Sequence, residues 1–256
     1  MMTVHEAASV GFSIQAEAYR RGRPDYPAAV DGWLIGQLGL SSGRSVVDLG
    51  AGTGKFTRRL LATGARVTAV EPVAAMRAQF VLTAPGTLVL DGTAEAIPLP
   101  DGSADALVCA QSFHWFANLV ALSEIRRVLK PGGVLGLVWN VRDETVDWVA
   151  SVGRIIQPFE GSTPRYHKGD WRQLFPAEGF GQLEQTVFPH GHQGAVEQVL
   201  IDRILSVSFI AALPESMHNL VAAELRHFAA THPDLAGQKE IIFPYRTEAF
   251  CCRRLP

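Results

Sequence analysis

Three glycines at alternate positions, Gly50, Gly52 and Gly54, follow directly on the β-branched run Ser45-Val46-Val47-Asp48-Leu49 and lead into an amphipathic stretch from Phe56 to Ala62. This order of strand, glycine loop and helix constrains the chain more than any other feature. Glycine permits a sharp turn at positive φ and a close approach of backbone to a ligand. The helix behind the loop offers N–H groups that no helical carbonyl satisfies. Around the loop, short apolar runs alternate with longer amphipathic stretches between residues 30 and 140, the pattern of βαβ units and a parallel sheet. The expected strands are Ser45–Leu49, Arg66–Val70, Thr87–Leu90, Asp105–Ala110 and Val134–Trp139. A helix is expected from about Leu119 to Leu129, and Lys130-Pro131-Gly132-Gly133 is a turn.

Beyond Asn140 the pattern loosens. Leu183 to Phe188 alternates like a half-buried strand. Gln193–Phe209 and Glu215–Ala230 read as helices. Ile241–Cys252 reads as a last strand in which Pro244 marks an edge or a bulge. No Gly/Ser linker divides the chain. The expectation is a single α/β domain over residues 1–256, with an N-terminal lid segment (1–29), a cofactor-binding core (30–140), and C-terminal strands with substrate-side helices (141–256).

The composition sets limits on function. With 47% hydrophobic and 19% charged residues the chain can bury a sizeable core. A net charge of −2 and the lack of any Lys/Arg run longer than two argue against nucleic acid or an anionic membrane as partner. Cys109, Cys251 and Cys252 form neither a disulfide framework nor a metal-ligand spacing, and fit a reduced, cytoplasmic setting. No signal peptide or apolar span long enough for a membrane is read.

The loop matches neither common phosphate motif. A dinucleotide fingerprint needs glycine at position 55, which is Lys55, and a P-loop needs Gly-Lys-Ser/Thr. Glu71 lies twenty-one positions after Gly50, at the end of the second expected strand. An acid there accepts hydrogen bonds from both ribose hydroxyls, on NAD-like or adenosyl ligands alike.

With those residues in place the chain resembles the class I S-adenosylmethionine-dependent methyltransferases of the type 11 group. The resemblance rests on Asp48 to Gly54, Val70-Glu71-Pro72, Asp91 to Pro100 and Leu129-Lys130-Pro131-Gly132-Gly133, in that order. It implies a Rossmann-like seven-stranded sheet of order 3-2-1-4-5-7-6, with helical elaborations on the substrate side. It implies S-adenosylmethionine as cofactor and S-adenosylhomocysteine as product. Asp48 and the loop Gly50, Ala51, Gly52, Thr53 and Gly54 would hold the methionine end, and Glu71 the ribose. Pro72 and Met76 would line the adenine face, and Thr93 and Ala94 would read its edge, with Thr93 where the family pattern often has Asp. Gln111 and Ser112 would lie near the reacting centre. Tyr19-Arg20-Arg21-Gly22-Arg23-Pro24-Asp25-Tyr26-Pro27, Phe113-His114-Trp115-Phe116, Val138-Trp139-Asn140 and Phe243 to Glu248 look like a small-molecule branch similar to trans-aconitate methyltransferases.

On the acceptor side, His114 is the candidate base or orienting group, since its intrinsic pKa is near neutrality. Alternatively it caps a loop. Trp115, with His114, is a candidate substrate contact, or packs beneath the loop. Tyr19, Arg23 and Tyr26 either close over the cofactor or belong to a helix ending at Pro24. Arg246 either meets an anionic substrate or is a solvated edge arginine. His190 and His192 read as a loop with no metal role. The reading is methyl transfer to a carboxylate or hydroxyl oxygen, less readily to nitrogen or carbon, of a small molecule. A non-catalytic cofactor-binding module and an NAD-dependent oxidoreductase stand as alternatives.

Overall fold

The computed structural model describes residues 23–256. The described residues form a seven-stranded sheet in the order β3-β2-β1-β4-β5-β7-β6. Its parallel half is β1 (Ser45–Leu49), β2 (Arg66–Val70), β3 (Leu88–Leu90), β4 (Ala104–Ala110) and β5 (Leu129–Arg142). The antiparallel strands β6 (Glu184–Ala195) and β7 (Glu240–Arg253) complete it. Central strands read as continuous apolar runs because both faces are covered. Leu107, Val108 and Cys109 of β4 and Leu135, Leu137 and Val138 of β5 are fully enclosed.

The two layers have separate cores. On one face Ile125 and Val128 of the helix Leu119–Val128 pack with Leu107, Leu137, Trp139 and Trp171. On the other, Trp33 and Leu34 of the helix Ala29–Gly36 pack with Leu60, Val46, Val108 and Val138. A third core joins the helices Asp147–Ile156 and Glu215–Thr231 through Val149, Val152, Val221 and Leu225. It reaches the sheet at Phe243 and Tyr245 of β7, so these helices are seated on the last strand.

Two expectations are corrected. The second C-terminal segment does not turn helical at Gln193: β6 runs on to Ala195, and His190 and His192 are strand residues opposite Tyr245 and Phe243. The helical stretch to Phe209 is broken into a π-helical turn (Glu197–Asp202) and the short helices Arg203–Leu205 and Ser208–Ala211. Strand β7 is interior rather than an edge. Pro244 is accommodated because β5 pairing ends at Arg142 opposite Tyr245, and the carbonyl of Pro244 accepts from the N–H of Asp143 beyond that end. The missing N–H therefore faces a side where no strand continues. Among the described residues no helix is long and apolar enough to cross a membrane.

Candidate active site

Strands β1, β2 and β4 end side by side, and their carboxyl ends open into a cavity, as expected for an open α/β sheet. The glycine loop forms its floor. Gly50, Gly52 and Gly54 all have positive φ, at 69°, 56° and 81°. Two of them are also forced by crowding: a Cβ at Gly50 would lie 2.6 Å from Cβ of Ser112, and one at Gly54 would lie 2.8 Å from the Phe80 ring. At Gly52 nothing stands within 4 Å, so glycine there supplies left-handed backbone and an open face toward the cavity.

Glu71 closes one wall. Its side chain is 6% exposed; Oε2 accepts from the N–H of Gly52 and Oε1 from that of Val73, both at 2.9 Å. Burial raises its pKa, and the two backbone donors and Arg77 act against that rise. Arg77 also ties β2 to β3, donating to the carbonyl of Glu71 and to both oxygens of Asp91.

Of the residues expected at a cofactor, Arg23, Gly50, Ala51, Gly52 and Thr53 line this cavity. So do Glu71, Pro72, Met76, Thr93, Ala94, Gln111 and Ser112. Asp48 and Gly54 lie outside the lining. Asp48 is buried beneath the loop, where Oδ2 accepts from the Thr57 hydroxyl at 2.6 Å and Oδ1 has no partner. Tyr19 lies outside the described residues. Tyr26 is described, and the segment 23–26 sits against the cavity. Lys55 Nζ donates to the Arg23 carbonyl, Arg59 to that of Tyr26 (2.6 Å), and Asn140 Nδ2 to that of Asp25 (3.1 Å).

Burial pushes Asp48 up from 3.8 to about 7, with the Thr57 hydroxyl opposing and Glu71 adding to the rise. A folded pKa above the unfolded one makes the native state bind the extra proton. That stability is complete below pH 3.8 and is lost as pH rises through about 7. Asp48→Asn is therefore expected to melt above the wild type at pH 8, by an amount worth a few kcal/mol, with the gap closing toward pH 4. Melting curves of the ligand-free protein across that range check this.

A second cavity of about 270 Å³ adjoins the first. The two share Arg23, Gln111, Trp115, Asn140 and Arg203, which thus mark their boundary. Gln111 has φ of 58°, rare for a residue other than glycine, and costs roughly 1–3 kcal/mol. It is held by its N–H to the Val138 carbonyl (2.8 Å) and its amide to the Asn140 carbonyl (3.0 Å). Arg142, Arg165 and Arg246 also line the second cavity, together with Glu144 and Glu248. Both acids are engaged: Glu144 with Arg142 (3.3 Å), and Glu248 with Arg246 (3.6 Å), Tyr166 and Gln185. Burial and the neighbouring guanidiniums lower the pKa of Arg142 and of Arg165.

Arg203 was not foreseen. It is 6% exposed, and Nε and Nη1 have no hydrogen-bond partner. The available signal was a lone arginine inside Val199-Leu200-Ile201-Asp202-Arg203-Ile204-Leu205, where a cation is out of place unless something meets it. His114 and Trp115, the candidate substrate contacts, line the second cavity, and His114 is absent from the first. His114 Nδ1 accepts from Nε1–H of Trp139 at 3.1 Å. Burial, with Arg165, Arg23 and His167, lowers its pKa to about 3.

The sheet order and the glycine loop ending β1 define a class I methyltransferase, whose methyl donor is S-adenosylmethionine. The residues present fit that molecule: a buried carboxylate able to accept from a diol, an open glycine backbone, and Met76 as a polarizable apolar wall. The chain belongs to the methyltransferase family, and residues 47–137 match the model described as a methyltransferase domain. An uncharacterized methyltransferase-like protein of Schizosaccharomyces pombe is 39% identical over 246 residues, covering 96% of each chain. A methyltransferase structure from Anaeromyxobacter dehalogenans superposes with a TM-score of 0.66 at 24% identity, covering 91% of this chain and 99% of that one. Phosphoethanolamine N-methyltransferase 2 of Haemonchus contortus, in complex with S-adenosyl-L-methionine, superposes with a TM-score of 0.60 at 14% identity. That match covers all of this chain and 61% of the other.

Proposed function

We propose that this enzyme methylates a carboxylate oxygen of a small acid. Arg203 carries the reading. A buried guanidinium with two unpartnered N–H groups is costly in the free protein, and an anion at the cavity boundary would satisfy both. Arg142, Arg165 and Arg246 extend the same positive lining away from the boundary. When bound, the cofactor supplies a methyl group on a sulfonium sulfur, already activated toward a nucleophile.

In this reading the residues bind, orient and exclude water. Glu71 accepts from the ribose hydroxyls and the glycine backbone takes the amino-acid end. Thr93, Ala94, Pro72 and Met76 surround the adenine. Gln111, fixed in its strained conformation, and Asn140 form the passage between the cavities. The segment 23–26, bound to Lys55, Arg59 and Asn140, keeps bulk water from that passage. Arg203 and its neighbours set the acid in line with the methyl group, so alignment does most of the work. A carboxylate is already ionised at neutral pH and needs no base, whereas a hydroxyl would need one, and His114 is a weak base at a pKa of about 3. The buried, unbridged thiols of Cys109, Cys251 and Cys252 agree with a reducing, cytoplasmic setting.

Incubating the protein with S-adenosylmethionine and matched panels of mono- and polycarboxylic acids, alcohols, phenols and amines tests this. Mass spectrometry should find methyl esters together with S-adenosylhomocysteine. Turnover of phenols or amines with none of the acids would sink the proposal.

A further inference from the structure

Trp139 and His114 form a pair whose chemistry can be read from one hydrogen bond. An indole nitrogen is a donor only, so the Nδ1 that receives it at 3.1 Å must present a lone pair. A neutral imidazole then carries its proton on Nε2. We infer that Trp139 is a positioning residue that locks His114 in this tautomer, so that His114 meets the acceptor as a hydrogen-bond donor and not as a base. The inference rests on the second cavity being the acceptor site.

The geometry of Trp139 makes the lock firm. Its side chain is fully buried in β5, with its ring centroid 4.5 Å from Trp171, 4.9 Å from Tyr166 and 5.9 Å from Phe250. Turning the indole away would disrupt all three contacts. His114 is equally constrained, in a 3-10 turn, Phe113–Trp115, whose first residue is buried in the core. Protonating Nδ1 would set two donors face to face. Among the described residues Arg165, Arg23 and His167 act on His114, and each opposes an imidazolium.

Nε2, by contrast, has no hydrogen-bond partner among the described residues, and His114 lines the same cavity as Arg142 and Arg165. Nε2–H is thus one more donor in a lining that already favours an anion. It has no free lone pair with which to remove a proton. His114 thus gives a hydroxyl acceptor no help in losing its proton, which favours acids that arrive ionised over alcohols and phenols with the same skeleton.

The test needs neither cofactor nor acceptor, so it fails or succeeds independently of the proposed function. In nitrogen-15 correlation spectra at neutral pH, His114 should show a bare, pyridine-type Nδ1 and a protonated, pyrrole-type Nε2. The His114→Gln variant assigns the signals by their loss. In Trp139→Phe the lock is gone, and the spectrum should move toward a mixture of tautomers or a proton on Nδ1. The wild-type spectrum decides the tautomer even if Trp139→Phe does not fold. A proton on Nδ1, or an imidazolium at neutral pH, would overturn the inference, as would an unchanged spectrum in a folded Trp139→Phe. With an acceptor in hand, both variants should raise its KM on the order of tenfold and leave kcat within a few-fold. A fall in kcat of a hundredfold with unchanged KM would instead mark His114 as a base and overturn the assignment.

Discussion

Glu71→Ala is expected to weaken S-adenosylmethionine binding by roughly 30- to 900-fold, or about 2–4 kcal/mol. A buried carboxylate facing a diol forms two charge-assisted hydrogen bonds, each worth about 1.5–3 kcal/mol and not fully additive. The same side chain also receives the N–H groups of Gly52 and Val73, so its removal loosens the glycine loop. Glu71→Gln keeps one acceptor oxygen, which can serve the N–H of Gly52 while its NH2 meets that of Val73, and should lose less affinity than Glu71→Ala. Calorimetric titration measures both, with circular dichroism to confirm the fold. Unchanged affinity in a folded Glu71→Ala protein would remove the residue from the site.

The second large effect concerns Arg203. Arg203→Met should lower kcat/KM for a carboxylic acceptor by about a hundredfold to a thousandfold, the value of two hydrogen bonds from a desolvated cation. Its effect on stability should run the other way. In the free protein Nε and Nη1 are buried without partners, so an apolar residue of similar length leaves stability unchanged or raises it by up to about 3 kcal/mol. A residue kept for the fold alone would show the opposite pattern, with lower stability and intact activity. Loss of both together would mean that Arg203 has a structural role in this chain.

The parallel half of the fold was legible because each of its signals is local. The strand boundaries at Ser45–Leu49 and Arg66–Val70 follow from β-branched runs stopped by Gly50 and by Glu71-Pro72. The glycine-loop cavity was legible for the same reason, since the loop and Glu71 are placed by two adjacent βα units. The second cavity was much less so. Its lining draws on Arg23, on the ends of β4, β5 and β7, and on Arg165 and Arg203, segments brought together only by tertiary packing. The end of β6 was misread because Gly191, between His190 and His192, looks like a loop residue and the stretch from Gln193 looks like the start of a helix. Ladder pairing with β7 to the Ala195–Glu240 pair overrides that local preference. Asp48, expected at the ligand, instead supports the loop from below, a distinction between facing and underlying a turn that spacing alone does not carry.

The interior position of β7 has a consequence for how the molecule is made. Synthesis delivers β1 to β5 first, and these five already have their parallel partners among themselves. Strand β6 then has nothing to dock on, because its one neighbour in the sheet is β7, which follows some forty-five residues later. Until that strand leaves the ribosome, β6 and the helices seated on Phe243 and Tyr245 remain without their partner surface. Arg246 and Glu248 arrive with it. A nascent chain can thus acquire the glycine-loop half of the sheet well before the half that carries Arg246 and Glu248, and on the proposed placement of donor and acceptor, ribosome-stalled chains ending before residue 240 should bind S-adenosylmethionine without turning anything over.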